Sequence, residues 1–103
     1  MDNLIKEIKE KVNDNLDVCF LKMRDIMIKL YHNQWTKEYE LVLAGTKEKI
    51  ISDLGQFTVE QFKLHKVEKS LSPLYNWIVD EVNYRFEQFI IQERALRYVE
   101  SYF

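Results

Sequence analysis

Eleven residues near the N-terminus, Ile5, Ile8, Val12, Leu16, Cys19, Phe20, Met23, Ile26, Met27, Leu30 and Tyr31, fall in one sector of a 100° wheel. Each lies three or four residues from another member of the stripe. That period belongs to a helix with one apolar face and cannot be reconciled with strand alternation. The Asn13-Asp14-Asn15 cluster would ordinarily mark a break, yet the stripe keeps its phase across it. A break resets phase, so the spacing predicts one uninterrupted helix over about 4–32, with Asn3 as its cap. Glu7–Lys11 and Asp25–Lys29 are i,i+4 pairs on its wet side.

Thr36 is the next cap candidate. Tyr39, Val42, Leu43, Ile50 and Leu54 then share a face that runs past Gly45. Glycine inside a helix costs about 1 kcal/mol, so a kink or split at Gly45 competes with continuity. Gly55 follows Leu54 as a C-terminal left-handed residue would. Thr58-Val59-Glu60-Gln61 then fits a capping box, flanked by Phe57 and Phe62 at the positions of a hydrophobic staple. Both devices predict a new, short helix from 59. Ser72-Pro73 reads as one more cap, with proline at the first helical position of a last helix that runs from 73 to the C-terminus. One broad stripe of that helix holds Leu74, Tyr75, Ile78, Val79, Val82, Phe86, Phe89, Ile90, Leu96 and Phe103. A second, separate stripe holds Trp77, Tyr84, Ile91 and Tyr98 at seven-residue steps, with Tyr102 beside it.

The expected fold is therefore all-α: a single domain over 1–103, built as an elongated helical bundle. Two long terminal helices flank one or two shorter middle helices. About 28 residues of helix span roughly 42 Å, far more than the radius of gyration near 13 Å of a compact chain of this size. The terminal helices are accordingly expected to lie along each other as a hairpin-like pair, or to be covered by a second chain. Two glycines and one proline among 103 residues are too few for the turns of a β-sandwich or barrel.

Charge is balanced, with 15 Lys+Arg against 17 Asp+Glu, and it is evenly spread along the chain. The basic half or tail that marks a nucleic-acid binder is missing. No apolar run approaches the length of a membrane span, and Met1-Asp2-Asn3 does not lead into a signal sequence. A cytoplasmic setting is the expectation. Abundant Lys, Ile and Asn beside two alanines suit an AT-rich source.

No constellation of chemistry is visible. Lys29 and Phe62 stand where a Glu-x-x-His motif would put glutamates before His32 and His65. Arg24 and His32 are too far apart for the arginine–histidine arrangement of small helical ribonuclease toxins. Cys19, the one cysteine, excludes an internal disulfide and sits mid-stripe as a small core residue. His32 reads as a helix-end histidine and His65 as a surface one. Asp80 and Glu81 are adjacent and diverge by about 100° on a helix, so they are not a paired acid site. Gly45 and Gly55 are isolated and make no phosphate loop. Neither metal, cofactor nor catalysis is expected.

What remains is surface. Trp77, Tyr84, Ile91 and Tyr98 read either as a second buried face or as a partner interface, the simplest case being a homodimer. Lys63, Lys66 and Lys69, three apart with His65 near, form the only basic edge, suited to phosphate or an acidic partner. Glu60 and Glu68 partly offset it. Ser72-Pro73-Leu74-Tyr75-Asn76-Trp77, followed by Asn83-Tyr84, resembles the segment where the microtubule-binding tip of dynein heavy chains re-enters its stalk. The resemblance covers about thirteen residues. It implies two long helices returning as an antiparallel coiled coil and binding to a filament. The chain departs from that family in the short stretch from Phe57 to Trp77 and in lacking a proline-marked stalk exit. The leading expectation is a small non-enzymatic binding or regulatory protein acting on another protein through a helical face. An inhibitor or accessory factor of a phage or mobile element would suit such a chain. The alternative is a nucleic-acid or filament-binding module using the Lys63 edge.

Overall fold

The computed structural model describes residues 2–100, with side chains through Tyr98. It is a bundle of three helices, α1 (Asp2–Leu30), α2 (Lys37–Leu64) and α3 (Ser72–Glu100). The axes measure 56 × 19 × 17 Å and the radius of gyration is 16.3 Å, so the molecule is elongated as the helix lengths require. No helix among the described residues is long and apolar enough to cross a membrane.

The α1 stripe is the core of the bundle. Leu4, Ile8, Val12, Leu16, Cys19, Met23 and Met27 are buried. They meet Tyr39, Leu43, Leu54 and Phe62 of α2 and Leu74, Ile78, Val82, Phe86 and Phe89 of α3. The helix passes through Asn13-Asp14-Asn15 as expected, but it begins before Asn3, which is therefore not its cap. Leu30, at the end of the expected stripe, is exposed, because α1 stops there. The chain then turns through His32 and Asn33, both at positive φ, and the Asn33 N–H donates back to the Met27 carbonyl.

The expected division of the middle segment is corrected. α2 is one helix of 28 residues, as long as its neighbours. Thr36 caps it, its hydroxyl accepting the Tyr39 N–H at 3.1 Å. Gly45 is simply an exposed helical position. Gly55 is buried in the helix, where a Cβ would come within 2.9 Å of the Tyr75 ring; its small size lets α3 approach, so it is not a helix end. Thr58 is not a cap either. It is fully buried, and its hydroxyl donates to the Leu54 carbonyl within the helix. Tertiary burial of Leu54, Thr58 and Phe62 on one face outweighs the local start signal. The true end lies beyond Leu64. Lys66 takes the left-handed conformation with φ 52°. The Val67 N–H donates to Phe62 and the Lys66 N–H to Lys63, a Schellman motif without glycine. α3 opens with the Tyr75 N–H donating to Leu71. Pro73 thus sits in the first turn, one place further in than expected.

Three helices joined by short turns run up, down and up, so α1 and α3 are parallel and α2 is antiparallel to both. The seam between α1 and α3 shows the direction. Lys9 lies over Trp77, Asp17 pairs with Arg85 and Arg24 with Glu93, rising together along both helices. This overturns the expected hairpin of terminal helices, and with it the antiparallel stalk that the dynein resemblance implies.

Candidate functional site

The second α3 stripe divides in two. Trp77 is half-buried against the core, its ring covered by the Lys9 ammonium at 4.8 Å. Tyr84, Ile91 and Tyr98 are 57%, 54% and 64% exposed and lie on the side of α3 opposite the core. They are not sandwiched between helices, because a three-helix bundle gives each helix one inward face only. Ile91 also borders a groove of about 510 Å³ between α2 and α3. Its apolar walls are Trp35, Leu43, Ala44, Phe86 and Ile90, and its rim carries Glu40, Lys47 and Glu87. Ile91 belongs to both strip and groove, and the exposed Glu87 and Arg94 stand between the three strip residues along the helix. Tyr102 and Phe103 lie outside the described residues.

One end of this surface is held by a polar cluster that the periodicity argument passed over. Glu93, 2% exposed, accepts from Arg24 Nε at 2.9 Å and from its Nη2 at 3.3 Å. Arg97 Nη1 lies 3.5 Å from the same carboxylate and donates to the Glu93 carbonyl. The Arg97 side chain is 9% exposed, and its Nε has no acceptor. The guanidinium of Arg24 is bound to Glu93, whose hydrogen bond and charge hold it more firmly protonated. Tyr39 closes the cluster. Its hydroxyl donates to the Met23 carbonyl, and burial pushes its pKa up to about 12, with Arg97 opposing the shift. Glu93 was legible in principle, because Ile78, Val82, Phe86, Phe89 and Glu93 continue the buried phase at gaps of four, four, three and four. A carboxylate at a core position with arginine four residues later signals a buried ion pair.

Three of the chain's four arginines, Arg24, Arg85 and Arg94, reach across to another element, and Arg97 pairs with Glu93 within α3. Arg24 reaches Glu93, and Arg85 reaches Asp17 and Asn13. Arg94 lies over the Trp35 ring. Arg97 completes the Glu93 cluster. Planar guanidinium groups that stack and grip carboxylates suit this work better than the lysines left in solvent.

Lys63, Lys66 and Lys69 are all exposed, but only Lys63 is helical. Lys66 and Lys69 lie in the α2–α3 connection beside Val67, so the expected basic helix face does not form. Among the described residues no group of three or more His, Cys, Asp or Glu is placed to hold a metal ion. Cys19 is buried, and desolvation raises its thiol pKa despite Lys22 nearby, which disfavours the thiolate that a nucleophile needs. α1 carries a further exposed apolar set, Val18, Leu21 and Ile28, interrupted by Lys22 and Asp25. Comparison with family models, curated proteins and solved structures finds no match.

Proposed function

We propose that this protein is a non-catalytic interaction module whose working surface is the outer face of α3 with the adjoining α2–α3 groove. It acts by offering that face to a protein partner. The observation that carries the reading is the exposure of Tyr84, Ile91 and Tyr98 in one line on a helix whose other face is already buried. Aromatic side chains bury large areas with little rotamer loss, which suits them to be anchors. The rigid bundle beneath them favours a preformed surface over one that must fold on binding.

Ile91→Glu tests the reading, with binding measured by pull-down and mass spectrometry on the parent chain and the variant. The expected result is unchanged helicity and melting temperature together with loss of the captured partner. Retained capture by a folded variant overturns the proposal.

A further inference from the structure

Resting on that reading, we propose that the occupant of the α3 face is a second copy of this chain. The two α3 helices would pack antiparallel about a two-fold axis at Ile91. The surface is a near-palindrome. Tyr84 and Tyr98 stand seven residues either side of Ile91, and Glu87 and Arg94 stand four before and three after it. A two-fold axis through Ile91 turns the palindrome onto itself. Ile91 then meets its own copy, and each Tyr84 lies beside the Tyr98 of the other chain.

The charges decide the orientation. Glu87 and Arg94 are seven residues apart and so share one flank of the helix, the flank that faces α2 and Trp35. In an antiparallel two-fold pair, like flanks meet, and each Glu87 faces the Arg94 of the other copy. Two reciprocal ion pairs form from one pair of residues. Within a single chain, among the described residues, neither Glu87 nor Arg94 joins an ion pair. Sliding the partner to place Tyr84 on Ile91 would set Glu87 against Glu87, a like-charge contact that specifies against that register. A parallel pair would bring opposite flanks together and leave both charges without their complements. A net charge of only −2 per chain presents little general repulsion to association. A surface that complements itself in both apolar and charged residues is what a symmetric dimer requires and a foreign partner does not.

The test is sedimentation equilibrium of the full chain at micromolar concentration, on the parent, on Glu87→Arg, on Arg94→Glu and on the double exchange. The parent is expected at about twice its 12.6 kDa mass. Each single reversal turns two attractions into two repulsions and raises the dimer dissociation constant by about fivefold or more; the double exchange restores it. Cysteine pairing checks the register independently. Ile91→Cys, at the axis, is expected to form a disulfide-linked dimer on mild oxidation. Tyr84→Cys alone is not, because its two copies lie roughly 21 Å apart. A monomeric parent overturns the proposal while leaving the interaction reading to the Ile91→Glu capture experiment. A dimer insensitive to the reversals, a double exchange no better than the singles, or a Tyr84→Cys that links as fast as Ile91→Cys overturns it as well.

Discussion

Gly45 and Gly55 occupy the same helix ten residues apart, and the bundle assigns alanine opposite consequences at the two places. At Gly45 an added Cβ meets nothing within 4 Å. Alanine there gains the full helix-propensity difference, about 1 kcal/mol, and forfeits no packing. For a domain of this size that corresponds to a rise in melting temperature of about 4–8 °C. At Gly55 the same propensity gain is opposed by the Tyr75 ring, whose Cε2 would lie 2.9 Å from the new carbon. Tyr75 is 38% exposed, so it can swing outward, at an overpacking cost of about 1–3 kcal/mol. The net change is between zero and a loss of about 2 kcal/mol. Urea denaturation followed by circular dichroism separates the two variants. Gly45→Ala is expected to raise the midpoint at unchanged slope, and Gly55→Ala to leave it level or lower it. Leucine in place of Tyr75 should recover part of any Gly55→Ala loss. A Gly45→Ala variant no more stable than the parent would refute the continuous α2 and reinstate a kink at that glycine.

Two further outcomes follow from the polar cluster. Glu93→Gln leaves the buried Arg97 guanidinium without a counter-charge and should cost about 3 kcal/mol in urea midpoint terms. Arg24→Ala, which removes a half-exposed partner, should cost about 1 kcal/mol; equal costs would contradict the burial difference. Tyr39 ionises near pH 12 when folded against about 10 when unfolded. Its raised pKa means that its contribution is complete below about pH 10 and is lost as pH rises towards 12, about 2–3 kcal/mol in all. Absorbance at 295 nm should show a tyrosine equivalent titrating near pH 12 that Tyr39→Phe abolishes; its persistence in that variant would contradict the assignment.

The two terminal helices and the inward face of α1 were legible in the chain because local information suffices for both. Apolar residues repeating every three or four positions from Ile8 to Met27 specify a helix and its inward face whatever packs against it. Thr36 specified a helix start through a hydroxyl three residues from the amide it caps. The same local logic misread Thr58. A threonine followed three residues later by glutamine satisfies a capping box, yet the same hydroxyl serves equally well inside a helix by donating to the carbonyl four residues back. Only the neighbouring helices, which bury Leu54, Thr58 and Phe62 together, decide between the two. Gly55 likewise carries no mark in sequence that distinguishes a helix end from a close approach; the Tyr75 ring distinguishes them. The number of helices also settled what the second α3 stripe is. With α2 continuous the bundle has three helices, α1 and α3 run parallel, and each helix has one face to bury. Tyr84, Ile91 and Tyr98 are therefore left outside, a consequence of how many elements share the core and not of the stripe's own composition.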